Sequence, residues 1–132
     1  MPGVPGLFDS KQAEGWKRVV DTVHEHGGYI YAQLWYAGRA SVPQMTGQPT
    51  VCSSATPFDG DEMYSHLPPG STEKVRYRDH PPVALTEQGI QEVIGEYVDA
   101  AKMAMNVGFD GVELHAANGY CEAFDVLPSS LI

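Results

Sequence analysis

The chain has 132 residues, enough for one ordinary domain with its own core. Its 42% hydrophobic and 19% charged residues are the balance of a folded globular chain and exclude an intrinsically disordered one. Eight Lys and Arg against seventeen Asp and Glu give a formal charge of −9, with no basic cluster to hold nucleic acid or an anionic membrane.

The opening MPGVPGLFDSKQ has neither a basic leader nor an apolar core, so no signal peptide is expected, and no run approaches the roughly 18 apolar residues of a membrane span. Cys52 and Cys121 form no CxxC pair and no disulfide framework. Two free thiols in a reducing compartment are expected, which places the chain in the cytoplasm.

In chain order, Asp9 is a helix cap with Gln12 reaching back towards it, and the pattern predicts a helix over 10–26. Trp16, Val19, Val20 and Val23 fall on one face of it, and Gly27-Gly28 supplies a left-handed stop. Residues 29–35, YIYAQLW, are dense in β-branched and aromatic side chains and predict a buried strand. Residues 36–85 hold seven of the ten prolines and show little sustained period. A structureless stretch of that length is usually functional, and a long loop capping the strand ends is expected.

Thr86 then caps a second helix over 87–107, with Ile90, Val93, Ile94, Tyr97, Val98, Ala101 and Met105 on a shared face. Gly108 ends it, and a second strand runs over 109–115. Two helix–Gly–strand units, each strand apolar on both faces, predict an α/β fold with the strands side by side and parallel. The chain reads as one domain, 1–132, with 36–85 as its long loop and 121–132 as a divergent tail.

Polar side chains stand at the two strand ends. Gln33 interrupts an apolar strand, and a buried amide needs partners. His115 ends the second strand, and Asn118 and Tyr120 lie on the turn after it. In a parallel sheet these ends face one rim, where four polar groups can converge on a ligand. His115 and Asn118 serve equally well as caps of the strand and of whatever helix follows. A metal centre is not expected. His24 and His26 are two apart on a helix, suit its C-terminal dipole, and lack ligand spacing, as do His66 and His80. Asp59, Asp61 and Glu62 lack the ligand order of a calcium loop. No G-x-G-x-x-G, Walker or G-x-S-x-G motif is present, so a Rossmann nicotinamide site is not supported. Cys121 reads as packing rather than as a nucleophile.

The segments YAQLWYAGR and, about seventy residues on, NVGFDGVELHAANGY together resemble the Old Yellow Enzyme family of FMN-dependent oxidoreductases. The resemblance runs from about Pro5 to Tyr120 and implies a fragment of a (β/α)8 TIM barrel, about a quarter of its strands. It implies FMN as cofactor and NADPH as reductant, with an activated alkene, an enone or enal, as substrate. Gln33 matches the amide on the flavin's pyrimidine edge, and Trp35 a pocket-lining aromatic. His115 and Asn118 match the pair that holds the substrate carbonyl oxygen, and Tyr120 the phenol that protonates the α-carbon. Some fungal relatives reduce an ergot-alkaloid aldehyde intermediate, so secondary metabolism is an implied setting.

The chain departs from the family after Tyr120, where CEAFDVLP replaces a helix of the Leu-(Ile/Leu)-(Asp/Asn)-Gln-Phe-Leu type. The family's upstream flavin contacts, its later Arg and its phosphate-binding loops have no counterpart in the sequence. An incomplete copy is therefore expected, one that does not retain FMN by itself. The alternative is a catalytically inactive remnant or interaction module that associates with itself through open sheet edges.

Overall fold

Asp9 starts the first helix, α1 (Ser10–Glu25), by accepting a hydrogen bond from the Gln12 N–H at 2.8 Å. Gln12 Oε1 in turn accepts from the Phe8 N–H at 2.9 Å, one residue further back than expected. The protein's structure, a computed structural model, describes residues 4–58, 65–117 and 120. These residues form two units: Val4–Trp35 with Gln91–His115, and Tyr36–Ile90 with the described residues from Ala116 onward.

In the first unit α1 stops at Gly27, whose φ of +73° suits the achiral residue. The Gly27 and Gly28 N–H groups donate to the His24 and Val23 carbonyls, the closure of a left-handed cap. Strand β1 (Tyr31–Leu34) follows. Most of the long helix α3 (Glu87–Val107) belongs here too; its start is fixed by Thr86 Oγ1, which accepts from the Gly89 N–H at 3.1 Å. Gly108, at φ +107°, turns the chain into β6 (Gly111–Leu114). β1 and β6 pair in parallel, Tyr31 beside Gly111 through Leu34 beside Leu114, as the repeated helix–Gly–strand pattern predicts.

Val20, Ala32, Leu34, Ala104, Val107 and Phe109 form the core, with Trp16 and Tyr97 packed on its margin. Both helices therefore cover the same face of β1. The Trp16 ring lies 5.7 Å from that of Phe109, and its indole N–H donates to the Gly6 carbonyl at 2.9 Å.

Three expectations need correction here. β1 is not buried on both faces; it alternates, with Ala32 and Leu34 buried and Tyr31 and Gln33 exposed, because both helices lie on one side. β6 is similarly open at Val112, Glu113 and Leu114. Val19 and Met105, assigned to buried helix faces, are 45% and 53% exposed: each helix seats a narrow stripe, and these two lie off it.

The second unit corrects the view of 36–85 as structureless. It holds a short helix α2 (Pro43–Thr46), strands β2 (Val51–Cys52) and β5 (Val83–Ala84) paired in parallel, and β3 (Ser65–His66) and β4 (Val75–Arg76) paired antiparallel. A single 3-10 turn covers Tyr77–Asp79. Ala40, Val42 and Tyr77 form its buried centre, with Met45, Phe58, Val75 and Tyr120 packed around them. Two-residue strands are too short for any period to show in sequence. Cys52 is fully buried, and Cys121 lies outside the described residues. No helix among the described residues is long and apolar enough to cross a membrane.

Candidate active site

The parallel register decides which candidate side chains meet. Gln33 stands beside Glu113, and Leu34 beside Leu114. One step further the ladder continues, the His115 N–H donating to the Leu34 carbonyl at 2.9 Å. Trp35 and His115 thus leave their strands in step, at the same C-terminal edge. Both are half-buried, whereas the amide of Gln33 is exposed on the face opposite the helices. Its exposure removes the expected demand for internal partners, and leaves an amide with donors and an acceptor open to a ligand.

The opposite edge of the strand pair carries a clasp. Asp110 Oδ2 accepts from the Ile30 N–H at 2.7 Å and lies 3.0 Å from His24 Nε2. The Asp110 N–H donates to the Ile30 carbonyl at 2.9 Å. The hydrogen bonds from His24 and then from Ile30 hold the Asp110 carboxyl below its ordinary value. His24 thus works with a carboxylate across the fold, while His26 Nδ1 lies 2.8 Å from the Thr22 carbonyl of its own helix.

Tyr120 belongs to the other unit, half-buried against the cluster of Ala40, Val42 and Tyr77. Tyr77 is 6% exposed, and its ring is tilted 59° to that of Phe58 at 6.1 Å. Burial raises the Tyr77 pKa, and the charge of an ionised Tyr120 raises it further. Asn118 lies outside the described residues. Gln33, Trp35 and His115 are therefore brought together by one pair of strands, and Tyr120 is placed by a different core. Tyr77 was missed by sequence reasoning, because a lone aromatic among VRYRDH in a proline-rich stretch carries no periodic signal.

These residues fit a flavin at one edge. An exposed strand amide matches the alternating acceptors and donor of the pyrimidine ring, and Trp35 stands two residues beyond it. For the cofactor's phosphate, neither Tyr31–Leu34 nor Gly111–Leu114 contains a Lys or Arg.

The sequence pattern of the NADH:flavin oxidoreductase / NADH oxidase family matches residues 1–124. A probable inactive reductase, easA, of Epichloe festucae var. lolii is 43% identical over 123 residues, which are 90% of this chain and 28% of that protein. The chanoclavine-I aldehyde reductase fgaOx3 of Penicillium roqueforti is 41% identical over 120 residues, 88% of this chain and 28% of that one. Among solved structures, morphinone reductase in complex with tetrahydroNAD superposes with a TM-score of 0.73 at 35% identity, covering 89% of this chain and 32% of the other. The chain spans less than a third of the length of the curated relatives it matches.

Proposed function

Because the chain belongs to the NADH:flavin oxidoreductase / NADH oxidase family, we propose that it supplies part of the active site of an FMN-dependent reductase of activated C=C bonds, driven by NADPH. The observation that carries this reading is the β1–β6 register, which sets Gln33, Trp35 and His115 at adjoining positions of one strand edge. Gln33 would hold the flavin's pyrimidine edge, and Trp35 would line the pocket beside it. A reduced flavin held there would supply the hydride for the β-carbon of an α,β-unsaturated carbonyl. His115 and Asn118 donate to the carbonyl oxygen, where negative charge gathers as the hydride arrives. Tyr120 gives its phenolic proton to the α-carbon. The product is the saturated carbonyl, and Tyr120 regains its proton from water. The setting is cytoplasmic.

The name of the Penicillium roqueforti relative supports an enal of the ergot-alkaloid type as the substrate, within fungal secondary metabolism. The test is anaerobic rapid mixing of a complete, flavin-loaded protein that carries this segment. Tyr120→Phe is expected to slow alkene reduction by about a hundredfold or more, within the span of general acid catalysis, while leaving flavin reduction by NADPH unchanged. Equal loss in both half-reactions would remove the proton-donor role. A second reading, an inactive chain that works by association, is favoured by the apolar side chains left open on one unit, Tyr29, Tyr31, Val112 and Leu114, and by the name of the Epichloe relative.

A further inference from the structure

We propose that Tyr77 is a positioning residue for Tyr120: the buried ring against which the proton-donating phenol is seated. This rests on the proton-donor role assigned to Tyr120 above.

Three observations within one unit support it. Tyr77 sits on the 3-10 turn Tyr77–Asp79 and is almost fully buried, so its ring is a fixed wall. Tyr120 packs against the same cluster, which Ala40 and Val42 complete with two small side chains. Phe58 packs on Tyr77 at 6.1 Å and restrains it further. The raised pKa of Tyr77 adds a consequence. When Tyr120 becomes a phenolate after giving up its proton, that charge keeps the proton on Tyr77, so the neighbouring ring stays neutral through the cycle. A neutral wall beside an acid that must cycle between phenol and phenolate holds its place in both states. Misplacing a reacting group by about 1 Å costs on the order of a hundredfold in rate, so a ring in the cluster that seats the acid matters to catalysis.

The experiment titrates the 132-residue chain carrying 13Cζ-labelled tyrosine, read by NMR, which needs no flavin. In Tyr120→Phe the Tyr77 resonance is expected to titrate at lower pH than in the parent, because the phenolate beside it is gone. In Tyr77→Ala the Tyr120 resonance is expected to move to the position of a solvent-exposed tyrosine; Tyr77→Phe, which keeps the ring, restores it. The Tyr120→Phe arm decides the matter should Tyr77→Ala fail to fold, since Tyr120 is only half-buried. In a complete, flavin-loaded protein that carries this segment, Tyr77→Ala is expected to slow alkene reduction about tenfold or more without slowing flavin reduction. An unmoved Tyr77 titration in Tyr120→Phe, or an unmoved Tyr120 resonance in Tyr77→Ala, overturns the seat itself. A Tyr120→Phe protein that reduces alkenes as before overturns the donor role instead, and the NMR result tells the two failures apart.

Discussion

Asp110 shows how one carboxylate ties distant parts of the chain together. It accepts from a backbone N–H eighty positions away and lies beside the imidazole of His24 at the end of α1. Those contacts favour its ionised form and lower its pKa in the folded state. The sign follows directly. A carboxyl whose folded pKa lies below its unfolded value adds stability above the unfolded pKa, and this is lost as pH falls through the folded value. Thermal melts of the parent are thus expected to lose stability from the ordinary Asp range near pH 4 downward. Asp110→Asn is expected to be less stable at neutral pH and to flatten that acid limb. A limb of unchanged steepness would show that other carboxylates dominate it. None of this was legible in the sequence, where Asp110 follows Phe109 as an ordinary polar residue. Gln33, Trp35 and His115 were legible, because each interrupts or ends an apolar run and two quoted segments carry them.

At the scale of the elements, the local signals were good and the facing of each surface was not. Asp9, Gly27, Thr86 and Gly108 mark the helix ends where the structure has them, since a cap is a contact within four residues. Which valine points inward depends on the partner surface, and a single helix does not encode that. Val20 and Val19 differ by one position, yet Val20 is 1% exposed and Val19 45%. Val20→Ala is expected to cost about 2–3 kcal/mol, the lost transfer of two methyl groups plus the cavity they leave. Val19→Ala is expected to stay within about 0.5 kcal/mol, as at most surface sites. Chemical denaturation of the two variants side by side measures the difference, and equal costs would place the stripe wrongly. The short pairs in 36–85 stayed hidden for a related reason: β2 and β5 have two residues each, and their pairing partner lies about thirty residues off.

For the whole molecule, charge and exposed apolar surface act against each other. Tyr29 and Tyr31 are 81% and 63% exposed on a chain of net charge −9. Repulsion between copies keeps such a surface apart at low salt and weakens once the Debye length shortens to about 8 Å at physiological ionic strength. The same charge opposes a phosphate-bearing cofactor. A single neutral hydrogen bond to Gln33 nets only about 0.5–1.5 kcal/mol. The 132-residue chain is thus expected to emerge colourless when desalted from excess FMN, as read by its absorbance spectrum. A stoichiometric yellow protein would mean that this segment alone holds the cofactor.

The clasp at Asp110 and the ladder bond at His115 grip the strand pair at both of its edges, so its alignment owes little to the length of chain that separates the strands. Closing a flexible span grows more costly only with the logarithm of its length, and a doubling adds roughly 0.6 kcal/mol. Insertions and deletions between β1 and α3 are therefore cheap, provided they spare the cluster around Tyr77. The intervening segment is free to diversify in size and composition while the edge that presents Gln33, Trp35 and His115 stays put. Such a division lets one span be rewritten with the strand pair carried along unaltered.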